Sequence, residues 1–171
     1  MKKYEFTGET KEIRLLFRTA TLHRIRATVA FGIVEVGDLG GWIEKEENLS
    51  HEGKAWVWGN AKVWGNAEVC GDAEVWGNAE VWGNAEVFSA SHVLVIGAIG
   101  SRNDFTTFYR DKDNEITVKC GCFLGKIDRF LEKVTQTHGD SKYALVYRAA
   151  VEVAKLQIDL SGEAPKDADE E

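Results

Sequence analysis

The residues best suited to chemistry stand in one short run, Gly100-Ser101-Arg102-Asn103-Asp104, followed by Thr106, Thr107 and Tyr109. A Gly-Ser turn after a buried strand can aim backbone N–H groups at an anion, and the Arg102 guanidinium adds a two-pronged fork. Tyr109 or Phe108 then offers a ring on which a base can stack. The ligand-binding candidates are therefore Ser101, Arg102, Asn103, Thr107 and Tyr109, and they fit a small phosphate-bearing molecule. The competing reading is a plain turn, with Asn103 and Asp104 bonded locally and Arg102 paired with a carboxylate. No Walker A, G-x-G-x-x-G or G-x-S-x-G pattern accompanies the run, so no cofactor and no catalytic residue is assigned.

Three further clusters read as structural. Cys120-Gly121-Cys122 supplies at most two metal ligands, whereas zinc sites draw four from wider spacings, so no metal is assigned. Gly121 marks a bulge or tight strand end with the sulfurs packed as small hydrophobes. Glu44, Glu46 and Glu47 form a solvated charge run, and His51 and His92 read as polar caps.

What must position these groups is a repeat. From Gly53 to Phe88 the chain reads as six uninterrupted hexads of the form G-[KND]-A-x-V-[WCF]. A helix cannot use a period of six, because its apolar residues would precess around the surface; a short strand followed by a corner can. Ala and Val share one face of each strand, and Gly with Asn or Asp turns the corner. Three strands close a triangular coil, so residues eighteen apart stack one layer up. That is the signature of a left-handed parallel β-helix, which needs both ends covered. Val57, Val63 and Val69 point inward beneath Val75, Val81 and Val87. Outside, Trp58 lies under Trp76, Trp64 under Trp82, and Cys70 under Phe88. Exposed aromatic ladders of this kind are read as a subunit interface through Trp58, Trp64, Trp76, Trp82 and Phe88, with cross-rung stacking that stiffens a short helix, or cover by the chain's own flanks, as the alternatives.

The predicted fold class is mainly β: a short left-handed β-helix with an N-terminal β cap (together 1–92) and a C-terminal α+β module (93–161). In the cap, Ile13–Phe17 and Leu22–Val29 read as strands around a turn at 19–21, and the six-residue frame extended backward places Ile43 and Leu49 on the Ala position. The C-terminal module reads β-β-β-α-α: Val93–Ile99, Phe105–Arg110 and Ile116–Cys120, then a helix through Ile127, Phe130, Leu131 and Val134 closed by Gly139. A second helix follows, with Tyr143, Val146, Tyr147, Ala150, Val153 and Ala154 on its inner face. Residues 162–171 are acidic and expected to be disordered.

The run Leu22 to Ala27, then Gly37-Asp-Leu-Gly-Gly-Trp-Ile43, Asn48-Leu-Ser50 and Gly53-Lys-Ala-Trp-Val57 resembles the YdcK-like hexapeptide-repeat proteins of bacteria and phages. The likeness covers about residues 10–90. It implies the left-handed β-helix and, by analogy, acyl-CoA-dependent acyl transfer, which in the wider superfamily uses a His beside the helix. The uninterrupted hexads leave no loop to project His51 or His92 for that role. Through Ile99-Gly-Ser-Arg102, Thr106-Thr-Phe-Tyr109 and Cys120-Gly-Cys-Phe123 the C-terminal module resembles modules of phage-encoded proteins.

Composition narrows the partners. With 21 Lys+Arg against 28 Asp+Glu, the 171-residue chain carries −7. That excess lies in residues 53–88 (2 basic, 5 acidic) and 162–171 (1 basic, 5 acidic), and no basic face suited to long nucleic acid emerges. The longest apolar run, Val93 to Gly100, is too short to span a bilayer, and Met1-Lys2-Lys3 leads into no apolar signal segment. Three cysteines fit a reduced, cytoplasmic setting in a bacterial host. The expected function is a non-catalytic oligomeric binding protein of phage type, a homotrimer by preference. It would interfere with host defence by capturing a host protein or a small nucleotide-like signal. Acyl transfer and a purely structural oligomerisation role are the alternatives.

Overall fold

The N-terminal hairpin pairs β1 (Tyr4–Arg14) with β2 (Thr19–Ala27) antiparallel, Tyr4 opposite Ala27 and Arg14 opposite Thr19. This is seen in a computed structural model that describes residues 1–15 and 17–162. The reversal comes earlier than the sequence predicts: Leu15 N–H closes on the Arg18 carbonyl at 2.8 Å, and residues 19–21 are already strand. The apolar alternation of β2 changes phase near Arg24–Arg26, where its pairing with β3 (Leu39–Ile43) shifts register. Leu22 therefore joins Trp42 and Trp64, whereas Ile25 enters the valine core.

The hexads give six two-residue strands: β4 (Trp56–Val57), β5 (Lys62–Val63), β6 (Glu68–Val69), β7 (Glu74–Val75), β8 (Glu80–Val81) and β9 (Glu86–Val87). Each pairs in parallel with the strand eighteen residues on, Val57 with Val75, Val63 with Val81 and Val69 with Val87. The valines are fully buried, together with Ala55, Ala61, Ala67, Ala73, Ala79 and Ala85. The six corner glycines from Gly53 to Gly83 sit at φ between +57° and +75°. A Cβ on Gly53 would also stand 2.4 Å from the Gly71 carbonyl oxygen, so stacking as well as conformation demands glycine there.

The entry coil departs from the extrapolated frame. Ile43 pairs with Val63 and Leu49 with Val69, so both occupy Val positions and not Ala positions. The spacing from Leu49 to Val57 is eight residues, and this two-residue excess shifts the phase.

Four antiparallel strands follow in sequence order, β10 (Val93–Ile99), β11 (Asp104–Arg110), β12 (Ile116–Cys120) and β13 (Phe123–Lys126). The last was not anticipated, so the module is β-β-β-β-α-α. Two helices cover one face, α1 (Ile127–His138) and α2 (Lys142–Gln157). Strand β11 is buried on both sides: Phe108 packs under the helices with Phe130, Val118 and Val151, while Tyr109 belongs to the valine core. The inner face of α2 is Ala144, Tyr147, Ala150, Val151 and Ala154; Tyr143, Val146 and Val153 of the expected face are exposed. The chain is thus mainly β with a C-terminal two-helix module.

The module also finishes the hexad stack. At earlier corners the carbonyls of Trp58, Trp64, Cys70 and Trp76 accept from the Ala N–H three residues on, at 3.0–3.4 Å. At the last corner the Trp82 carbonyl accepts instead from Tyr109 Oη, at 2.7 Å. Asp111 bridges Ala85, and Lys112 N–H donates to the Asn84 carbonyl at 2.9 Å. Of the expected disordered tail, residues 163–171 lie outside the described residues; the Gly162 carbonyl accepts from Arg110 Nη2 at 2.8 Å. Among the described residues, no helix is long and apolar enough to cross a membrane.

Candidate functional site

The turn after β10 and the β12–β13 hairpin turn lie beside the helices and line an open cavity of about 240 Å³. Gly100, at φ +74°, starts the first turn, and Asn103 N–H closes it on the Gly100 carbonyl at 3.2 Å. A Cβ at Gly100 would lie 1.8 Å from Tyr147 Oη, so the turn rests directly on that hydroxyl. Gly121-Cys122 is the second turn, with Cys120 opposite Phe123. The Arg102 guanidinium lies across it, 3.1 Å from where a Gly121 Cβ would stand. Phe123, Phe130 and Val134 give the cavity apolar walls; Arg102 and Lys133 bring two cations, Asp104 one carboxylate, and Ser101, His138 and Tyr147 further polar groups. Such a mixture suits a ligand with an apolar body and an anionic end.

Burial, aided by the neighbouring Cys120 thiol, pushes the Tyr147 hydroxyl up to about 12, so at neutral pH it is a hydrogen-bonding group and not a base. Among the described residues, no carboxylate lies within ion-pairing distance of Arg102 or Lys133. The plain-turn reading holds for Asp104, whose Oδ1 accepts from Phe105 N–H at 2.7 Å, but the carboxylate partner it required for Arg102 is not among the described residues.

A second cleft, of about 430 Å³, shares Asp104 and Gly121 with the first. Its floor is an ion network: Glu80 accepts from Lys62 at 2.8 Å and lies 3.0 Å from the Lys119 ammonium. Burial pushes the Glu80 carboxyl up, but the two ammonium groups outweigh it and hold the group below the ordinary carboxylate range. Lys119 also donates to the Gly121 carbonyl.

Of the five ligand-binding candidates, Ser101 and Arg102 line the first cavity. Asn103 (φ 52°) shapes its turn, and Thr107 lines the second cleft, where its Oγ1 accepts from Glu80 N–H at 3.0 Å. Tyr109 belongs to neither. Its ring is buried against the hexads and its hydroxyl is spent on Trp82, so it is a joint between modules; Phe108 is equally inaccessible under the helices. Lys133, His138, Tyr147, Lys62 and Lys119 were missed. They reach the site from other elements, and only the 3.6-residue spacing of Phe130, Lys133, Val134 and His138 hinted at a shared helix face.

The aromatic ladders form as the eighteen-residue stacking requires: Trp58 and Trp76 stack at 4.4 Å and 5°, Trp64 and Trp82 at 5.6 Å and 23°. Their surroundings differ. Trp64, only 2% exposed, is covered by Leu22 and Trp42 of the cap, and Ile13 and Leu15 add to that cluster. Phe88 is packed by His92 edge-on at 4.3 Å and by the Arg110 guanidinium at 4.7 Å. Trp76 is 45% exposed and alone presents a broad surface.

Both histidines are held by neighbouring groups, and His51 Nε2 also lies 3.8 Å from Glu46 Oε2. His51 stacks on Tyr4 at 4.3 Å and its Nδ1 accepts from Lys3 N–H at 3.1 Å, which leaves Nε2 as the protonated nitrogen. His92 is buried, its Nδ1 accepting from Phe88 N–H at 3.4 Å and its Nε2 facing Arg110 at 3.4 Å. Cys120 takes a hydrogen bond from Thr106 Oγ1 at 3.3 Å, and Cys122 is exposed at the turn. Among the described residues, no three His, Cys, Asp or Glu side chains gather as metal ligands. No protein-family model matches this chain, and no curated protein matches it.

Proposed function

We propose that the chain is a non-catalytic binding protein: a short left-handed parallel β-helix scaffold carrying a C-terminal module that captures a small phosphate-bearing ligand. The observation that carries this is the presence of Arg102 and Lys133, neither in an ion pair among the described residues, in the lining of one apolar-walled cavity of a chain whose net charge is −7. Arginine's planar fork and a lysine point charge are the groups that phosphate recognition uses. The parallel pairing at eighteen residues, the inward valines and the glycine corners support the β-helix. The YdcK-like and phage-type resemblance favours sequestration of a host's nucleotide-like signal. The 45% exposed Trp76, at the outer end of the Trp58–Trp76 stack, supports homotrimeric assembly. The tied histidines speak against acyl transfer.

Thermal unfolding with inorganic phosphate and with AMP tests the reading. Each should raise the Tm of the natural protein, and Arg102→Ala should abolish the rise. No rise with either compound would contradict the proposal. A second reading, capture of a host protein, is supported by the exposed Leu145, Val146, Val153 and Leu156 on the outer face of α2. It predicts a co-purifying polypeptide that is lost in Leu145→Asp.

A further inference from the structure

The Arg102 cavity is small for a complete ligand site. At about 240 Å³ it falls below the ~300–1,000 Å³ that such sites usually occupy, whereas the adjoining 430 Å³ cleft lies within that range and the two are contiguous. The two spaces share Asp104 and Gly121, and the ridge between them is the Gly121 turn. Cations grip this ridge from two directions: Arg102 Nη1 lies 3.1 Å from where a Gly121 Cβ would stand, and Lys119 Nζ bonds the Gly121 carbonyl. Lys62 stands beyond Lys119, across Glu80. Four cations (Arg102, Lys133, Lys62, Lys119) thus face two carboxylates (Asp104, Glu80), a local excess of two positive charges. The first lobe has aromatic walls in Phe123 and Phe130; the second has ammonium groups and Asn78.

We infer that the two lobes form one site for a nucleoside diphosphate, its ring in the Phe123/Phe130 lobe and its diphosphate running over Gly121 from Arg102 to Lys119 and Lys62. This rests on the phosphate-binding reading above and adds the ligand class and the second lobe. Cations on both sides of one turn can each meet one of two adjacent phosphates, whereas a monophosphate would leave half of them unused. Glycine at 121 keeps the ridge low enough for the ligand to cross.

Isothermal titration with AMP and ADP, using the full chain, separates the two claims. ADP should bind about tenfold tighter than AMP, as expected for one added charge-assisted contact. Lys119→Gln and Lys62→Gln should each bring ADP close to AMP's affinity, Lys62→Gln leaving AMP unchanged because Lys62 lines only the second lobe, and Lys119→Arg should restore the difference. Circular dichroism and Tm confirm that each variant folds, and Lys62→Gln keeps the test open should Lys119→Gln disturb the turn. If AMP binds through Arg102 but ADP is no tighter, or if the lysine variants weaken both nucleotides alike, the two-lobe inference is overturned and the phosphate site stands. Absence of binding by both nucleotides overturns the two-lobe inference, and overturns the phosphate site as well when inorganic phosphate also fails to raise the Tm.

Discussion

Replacing Tyr109 by Phe removes one oxygen and leaves the ring in the valine core. The lost group is the donor to the Trp82 carbonyl at 2.7 Å, which closes the last corner of the hexad stack. Leaving a buried carbonyl without its donor costs about 1–3 kcal/mol. At roughly 2–4 °C per kcal/mol for a domain of this size, a mid-range loss of ~2 kcal/mol lowers the Tm by about 4–8 °C. The same substitution has a pH signature. Burial raises the Tyr109 hydroxyl well above its ordinary value, so the folded state holds this proton more tightly than the unfolded chain. Stability from this group is fully present below the unfolded tyrosine value near 10 and is lost as pH climbs beyond it. Tyr109→Phe should therefore weaken the alkaline fall in stability, while Tyr4, also raised by burial, retains its share. Urea unfolding between pH 7 and 11 measures both effects, and phosphate binding should survive. An unchanged Tm, or a stable variant that no longer binds phosphate, would refute Tyr109 as a joint between modules.

Asp111 works in the opposite pH range. Burial pushes its carboxyl up, but Lys126, Thr117 Oγ1 and the N–H groups of Glu115 and Asp113 together hold it below the carboxylate range. Its stabilisation is present above the unfolded value near 4 and is lost as pH falls through the lower folded value. Asp111→Asn should destabilise at pH 7 by about 1–3 kcal/mol and flatten the acid limb, read by urea titration at pH 7 and pH 3. Trp64→Ala should cost about 3–5 kcal/mol in chemical denaturation because cap residues close over the ring. Trp76→Ala should cost far less and instead dissociate the proposed trimer, a change visible in sedimentation velocity. Gly100→Ala meets both a positive φ and the Tyr147 hydroxyl, so it should lower the Tm and abolish the phosphate-induced shift.

The hexads were readable because each residue type has one job in a six-residue beat, and the eighteen-residue pairing follows by counting. The entry coil was not, since Ile43 and Leu49 are apolar at any phase and the two-residue excess before Val57 has no mark of its own. Strand β13 escaped because Phe123–Lys126 is short, contains Gly125 and runs straight into α1. The face of α2 was misassigned because the helix carries two apolar stripes; small Ala144, Ala150 and Ala154 allow close packing, while Leu145 and Leu156 remain outside. Ser101 and Arg102, picked out by a Gly-Ser-Arg turn, line the first cavity. Tyr109 was misjudged because alternation within β11 sends it to the hexads, a consequence of having a packed layer on each side. Lys62, Lys119 and Lys133 come from separate elements, and only the fold brings them to the Gly121 turn.

The central claim, a phosphate site at Arg102, is tested most directly by following backbone amide resonances of the ¹⁵N-labelled protein during titration with inorganic phosphate. Saturable shifts should concentrate at Gly100–Asp104 and Gly121–Cys122 and vanish in Arg102→Ala. Shifts absent from those turns, or unchanged by the substitution, would contradict it.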